Sequence, residues 1–411
     1  MNLSFSKSSV CGLGFVLMAF ISMNPFIFWN DAGLLKALFF LLFILGVICS
    51  RFNGVIGHSS VVLVVAFLAI YLLMYFPFRE YDYFRVSSIP FLLVGLVLFV
   101  DKRCIEKSLI YYVNLMFVIS VLSLLSWCLY LINIPYFEVT VPQDFRRNIN
   151  DSYSLYWGVV ILSTQVFDVY GGISSFRSSG VFAEPGHFSM YLSLALALME
   201  RPLSNIKGLF ISAAIVTTFS VAGYIALLAV FLYRYRIKAL LFGFSGIFLL
   251  ALFVATATVG ADIIDTFILS KIYADGGILD SRTRYSGGEF WEQQITSVLL
   301  GMGNGYVGIN EWVLSDFRSY LYKYGVLACL ILFFIFFFIW WTTNPRRAHG
   351  QSCGILVMAL LVLILVHRSW MVDSFLFFYF LFAMHIVGGK ESVDHKAPCS
   401  RTSADGQLNS I

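Results

Sequence analysis

Long unbroken apolar runs, separated by short polar stretches, set the pattern of this chain. They fall at 9–28, 33–50, 60–78, 88–100, 108–133, 186–199, 208–233, 239–259, 319–341, 352–367 and 372–388. Most approach the length of about 20 residues that an α-helix needs to cross a bilayer. The apolar positions are continuous rather than alternating, which excludes an outer-membrane barrel. An all-α, polytopic membrane protein is therefore the predicted architecture. The first run follows Lys7 and has no small-residue cleavage site, so it reads as a retained anchor rather than a signal peptide.

Composition supports this class and narrows it. Of 411 residues, 59% are hydrophobic and only 12% charged, against about 25% charged in soluble domains. An ordinary cytosolic enzyme and a disordered chain are both excluded. The net charge of +4 over this length is no basic footprint, so nucleic acid is not an expected partner.

The placement of charge resolves the one ambiguous run. Arg201 and Lys207 precede 208–233, and Arg234, Arg236 and Lys238 follow it. Basic clusters on both flanks belong on the cytoplasmic side. Two short spans are then required, joined near Ser220-Val221-Ala222-Gly223, and short half-spans are tolerated where neighbours bury them. About 12 transmembrane helices result, with both termini cytoplasmic. In this arrangement the inner side holds 15 Lys and Arg against 6 acids, and the outer side 12 against 17. One membrane domain covers 1–388, and 389–411 is a polar tail expected to be disordered.

Two outer loops are long, at about 134–185 and 260–318, so the chemistry is expected on that face. No phosphate-binding GxxxxGK[ST] motif occurs, and Gly301-Met302-Gly303-Asn304-Gly305 is too weak a pattern for a nucleotide site. The seven cysteines avoid the long loops and read as small buried hydrophobes rather than a disulfide framework. Six scattered histidines show no ligand spacing, so neither a metal nor a cofactor is expected.

Arginine supplies nine of the twelve outer cations, whereas the inner side splits eight Arg to seven Lys. Its planar fork suits phosphate and carboxylate oxygens, and it stays charged when partly desolvated. Most of the nine are expected to pair with outer acids; context singles out a few. Arg177 lies in RSSGVFAEPGHFSMYLSLALAL, where Pro185 and Gly186 open a span with free N–H groups and a positive helix end. This suits an anion such as phosphate. Glu184 fits helix capping and a role as acceptor base equally well, and His187 in the first turn fits packing or hydrogen bonding better than catalysis. The second long loop carries Arg282 and Arg284, then Trp291, Tyr306 and Trp312, then Asp316 and Arg318. Such aromatics serve either sugar stacking or the lipid interface. The spans hold almost no ionisable residue near their middles, and no repeat relates the halves, which disfavours transport.

RSSGVFAEPGHFSMYL, the hairpin TTFSVAGYIALLAVFLYRYR, then DSRTRYSGGEFWEQQITSVLLGMGNGY and SYLYKYGVLACLILFF together resemble, in that order, Wzy-type O-antigen and capsular polysaccharide polymerases. The motifs cover about 177–341, and the remainder is similar in topology alone. The resemblance implies a metal-independent glycosyltransferase of a bacterial inner membrane, acting on undecaprenyl-diphosphate-linked oligosaccharide. It implies membrane lipid as a partner and leaves room for a chain-length-regulating co-polymerase. The related O-antigen ligases carry an arginine in the hairpin turn and a histidine in the second large loop. Here the hairpin has Ser220-Val221-Ala222-Gly223 and 260–318 has no histidine, which favours the polymerase.

The expected catalytic set is Arg177, Glu184, Arg284 and Asp316. Arg282, Gly186, His187, Trp291 and Arg318 are expected to bind substrate. Arginines and a helix end would stabilise the departing diphosphate, and Glu184 or Asp316 would orient or deprotonate the acceptor. An O-antigen ligase and a polyprenyl-linked sugar flippase stand as alternatives.

Overall fold

Two helices buried along their length organise the rest of the molecule. The computed structural model describes residues 7–29, 33–49, 58–75, 92–135, 138–140, 152–170, 173–235, 291–302, 317–343, 352–367, 371–372 and 374–388. Its helices are α1 (Lys7–Ser22), α2 (Gly33–Cys49), α3 (His58–Tyr75), α4 (Lys102–Leu131), α5 (Pro185–Ala197), α6 (Ile206–Thr217), α7 (Val221–Tyr235), α8 (Ile295–Leu300), α9 (Phe317–Thr343), α10 (Ser352–His367) and α11 (Phe375–Gly388). The described structure is thus mostly helical. Among the described residues, α4 and α9 are long and apolar enough to cross a membrane, judged by length and composition.

The first buried helix is α11, enclosed from Phe375 to His385. A helix apolar on every side must find apolar surroundings on every side. It finds them in α1, α3, α4, α9, α10 and a 3₁₀ turn at Val94–Phe99. Phe378 and Phe382 meet the Phe67 ring at 5.3 and 5.4 Å, and Phe380 meets Tyr112 edge-on at 4.9 Å. The second is α5, buried at all thirteen positions. Tyr112 links the two, since its hydroxyl donates to the carbonyl of Tyr191 at 2.9 Å.

Run boundaries moved where polar chemistry outranks hydropathy. The first run stops helically at Ser22, because Asn24 takes φ 49° and Pro25 leads into a 3₁₀ turn. The 88–100 run ends in that 3₁₀ turn at Val94–Phe99, with Val100 extended, so its described part is not a spanning helix. Asp101 then caps α4 by accepting from the Arg103 N–H, starting that helix before the apolar run begins. The 208–233 run does divide in two. Its turn is Thr218-Phe219-Ser220, and Val221 to Gly223, expected in the joint, already form the first turn of α7. The hydroxyl of Tyr235 accepts from the Leu203 N–H at 2.8 Å, so α7 returns beside the start of α6 as a hairpin.

Beside the helices lies a small β-containing part that the sequence reading did not expect. The described residues between 138 and 176 build two small antiparallel sheets: β1 (Glu138–Thr140), β2 (Tyr153–Tyr156) and β3 (Val159–Leu162) in one, β4 (Val166–Tyr170) and β5 (Ile173–Phe176) in the other. Trp157 and Gly158 join β2 to β3 with φ of 50° and 82°, the geometry that a two-residue hairpin turn demands. Tyr153-Ser-Leu-Tyr156 and Val159-Val-Ile-Leu162, rich in aromatic and β-branched residues, flank that turn and carry a strand signal too short to show among apolar runs of helical length. Cys128 is also exposed, whereas Cys11, Cys104 and Cys329 are buried as expected.

Candidate functional site

Four of the expected residues, Arg177, Glu184, Gly186 and His187, lie at or just ahead of the start of α5. Ahead of it, residues 177–183 run as a strap held from three sides. The Val160 N–H donates to the Gly180 carbonyl at 2.8 Å, and the Ser179 hydroxyl donates to the Val160 carbonyl at 2.8 Å, which ties the strap to β3. The Ser178 and Ser123 hydroxyls hydrogen-bond each other, tying it to α4. The Ser178 N–H donates to the Thr217 carbonyl at 2.9 Å, tying it to the end of α6.

Arg177 completes that last link. Its Nε donates to the Thr218 carbonyl at 3.1 Å and its Nη2 to the Phe219 carbonyl at 2.9 Å. The last carbonyls of a helix have no partner within it, and a cation there also suits the negative end of the helix dipole. Arg177 therefore caps α6 and fixes the hairpin turn, in which Phe219 holds φ at 47°. A left-handed φ at a bulky residue costs free energy and persists only where surroundings impose it. Tyr224 adds a second tie across the turn, donating to the Val216 carbonyl at 2.9 Å.

Beyond the strap, Glu184 is the extended residue before α5, with φ −138° and ψ 140°, and Pro185 sits at the first helical position. Its backbone carbonyl accepts from the Phe188 N–H at 3.2 Å, but its side chain makes no capping hydrogen bond. The carboxylate instead meets His187 Nε2 at 3.0 Å. His187 is 4% exposed and Glu184 23%, so the carboxylate is the reachable member of the pair. Gly186 is buried and its carbonyl accepts from Ser189.

Two glycines bring these parts into close contact. A Cβ on Gly223 would lie 2.5 Å from Cβ of Ser189, so the first turn of α7 lies directly on the first turns of α5. Gly180, at φ 56°, leaves room for the Phe188 ring, which a Cβ would approach to 2.9 Å. The hairpin turn, the strap and the α5 entry are thus one packed unit.

The remaining expected residues divide. Arg282, Arg284 and Asp316 lie outside the described residues. Trp291 is 60% exposed ahead of α8, and Arg318 is half-buried in the first turn of α9. These two are carried by a different pair of elements. There α8 crosses α9 where Gly301 and Gly325 meet, with φ of 79° and 78°, and a Cβ on either would lie 2.2–2.3 Å from backbone nitrogen of the other. Among the described residues no three His, Cys, Asp or Glu side chains gather as metal ligands would.

Sequence reasoning missed three features of this site. The capping bonds of Arg177 to Thr218 and Phe219 join residues about forty apart and left no local signal. The Glu184–His187 pair was missed as well, although an i, i+3 spacing at a helix start is a signal that could have shown it. The Gly301–Gly325 contact was visible only as a glycine-rich stretch. No family model, no curated protein and no solved structure matches the chain.

Proposed function

We propose that the protein is an O-antigen polymerase, a glycosyltransferase of a bacterial inner membrane with about 12 transmembrane helices and both termini cytoplasmic. It joins undecaprenyl-diphosphate-linked repeat units on the periplasmic side, within lipopolysaccharide biosynthesis. The observation that carries the reading is the α5 entry, where an arginine, a carboxylate–imidazole pair and a short-helix hairpin form one packed unit. Helices α5, α6 and α7 have 13, 12 and 15 residues. At 1.5 Å per residue each falls short of the about 30 Å hydrocarbon core, so a cavity for lipid tails beside them fits their lengths.

In this reading a growing glycan leaves its undecaprenyl diphosphate and joins a hydroxyl of the next lipid-linked unit. Negative charge grows on the departing diphosphate, and preorganised cations stabilise it. Arg177 contributes charge there and fixes the turn, with Arg282 and Arg284 supplying further cations. Glu184 accepts the proton of the acceptor hydroxyl, and buried His187 positions the carboxylate by donating to it. Asp316, Trp291 and Arg318 contact the sugars.

Deleting the gene and complementing it tests the reading. Loss of a polymerase leaves single repeat units on the lipid A core, and restoring the chain restores the long ladder. If deletion leaves no repeat unit attached at all, the protein is a ligase and the proposal fails.

A further inference from the structure

A second polar site lies at the opposite end of α5 from Glu184. There a cavity of about 530 Å³ opens between α4, α6 and the loop joining α5 to α6. Its polar side presents Asn114, Glu200, Arg201, Asn205 and Lys207. Lys207 Nζ donates to Oδ1 of Asn114 at 2.6 Å, which holds the ammonium in place without neutralising it. Asn205 Oδ1 accepts from the Lys207 N–H at 2.9 Å and fixes the start of α6. Among the described residues no carboxylate reaches ion-pair distance of Arg201 or Lys207, and with two cations against one acid the lining is net positive.

The rest of the wall is apolar, and it continues outwards. Ile110 and Leu198 line the cavity. On α4, Ile110, Val118 and Leu125 are 59%, 60% and 56% exposed, and their spacing of 8 and 7 residues keeps them on one helix face with Asn114. On α6, Leu209 and Val216 are 48% and 45% exposed, seven residues apart and again on one face. A cationic head pocket opening onto exposed apolar stripes matches an amphipathic anion.

The loop is built to hold this shape. Arg234 Nη2 donates to the Ala197 carbonyl at 2.7 Å, and the Tyr235 hydroxyl holds the Leu203 N–H, so α7 braces the loop at both ends. A Cβ on Gly208 would lie 2.0 Å from the Pro202 carbonyl oxygen, so the loop lies directly on the first turn of α6.

We infer that this cavity binds a phosphate group, with the headgroup of an anionic phospholipid as the ligand whose acyl chains follow the stripes on α4 and α6. The acyl part rests on the membrane reading proposed above; the phosphate part does not. Basic pockets between spans on the cytoplasmic side are suited to anionic headgroups, and each Lys or Arg near them contributes about 1 kcal/mol, or about fivefold in affinity.

The test uses the purified full-length protein in neutral detergent, with thermal stability read against added ligand at constant ionic strength. The ligands are short-chain phosphatidylglycerol, phosphatidylcholine of the same chains, and inorganic phosphate. Phosphatidylglycerol is expected to raise the melting temperature at concentrations where phosphatidylcholine does not. Arg201→Ala and Lys207→Ala should each weaken that effect about fivefold, and Glu200→Gln should tighten it by a similar factor. Lys207→Ala also removes the bond to Asn114, so the exposed positions Glu200 and Arg201 carry the test if it folds poorly. A response to inorganic phosphate as strong as that to phosphatidylglycerol supports the phosphate site and identifies the free anion as its ligand. Equal stabilisation by both lipids, unchanged in Arg201→Ala and Glu200→Gln, overturns the inference. Polymerisation does not enter this readout, so either reading can fail while the other stands.

Discussion

At the scale of single residues, Arg177 shows why an arginine is needed where a lysine would satisfy charge alone. Two nitrogens of one planar group reach two successive carbonyls, at Thr218 and Phe219, and a lysine has one nitrogen on a flexible stem. Arg177→Lys is therefore expected to recover little of the polymerisation lost in Arg177→Ala, with both reduced at least about 10²-fold. Wild-type ladders from Arg177→Lys would remove the bidentate cap from the mechanism. The Glu184–His187 pair gives a second expectation. If His187 acts only through Glu184, the double variant Glu184→Gln/His187→Gln should be no worse than Glu184→Gln alone. A double-mutant cycle on polymerisation rate should return a coupling of about 0.5–3 kcal/mol, as contacting residues do. Independent, additive losses would separate the two. The identity of these residues was legible from sequence, because an arginine before a Pro-Gly helix start is a local pattern. Their partners were not, because Arg177 meets carbonyls at 218 and 219 and hydroxyls carry the Ser123–Ser178 link, none of which leaves a mark in hydropathy.

Among elements, the division of 208–233 was readable because charge flanked it on both sides, and the hairpin of α6 and α7 agrees with that division. The exact turn was not readable. Val221-Ala222-Gly223 looks like a joint in sequence, yet Gly223 is in the first turn of α7 because Ser189 leaves no room for a side chain there. Gly223→Ala must push α7 away from α5, and overpacking of this kind costs about 1–3 kcal/mol. A lowered melting temperature with reduced ladder length is expected; an unchanged melting temperature would contradict the close packing. Gly325 makes a comparable demand inside α9, at φ 78° and ψ 177°, a conformation that is essentially restricted to glycine. Gly325→Ala is expected to cost at least about 1–3 kcal/mol in thermal or denaturant unfolding. The strands of 138–176 were missed for a different reason. Each is three to five residues long, and a pass for runs of about 20 apolar residues averages over them.

For the whole molecule, the low charge of 12% is what the proposed membrane class rests on, and sorting those charges by side predicts an orientation. The β-containing segment and the α5 entry belong to one end of that arrangement, and the cavity beside Arg201 and Lys207 to the other. Single cysteines at Thr164, exposed beside β3, and at Ser204, exposed in the α5–α6 loop, test this in a background where all seven native cysteines are replaced by serine. A membrane-impermeant thiol reagent added to intact spheroplasts should label the cysteine at 164 and not that at 204 until the membrane is opened. Labelling of both, or of 204 alone, would invert or dissolve the topology.

Purified protein mixed with undecaprenyl-diphosphate-linked repeat units, without nucleotide or added metal, reaches the central claim most directly. Products are separated by size. A ladder of lipid-linked oligomers with release of undecaprenyl diphosphate is expected, abolished in Arg284→Ala and strongly reduced in Glu184→Gln. Unextended single units, in a preparation whose melting curve shows it folded, would contradict the assignment.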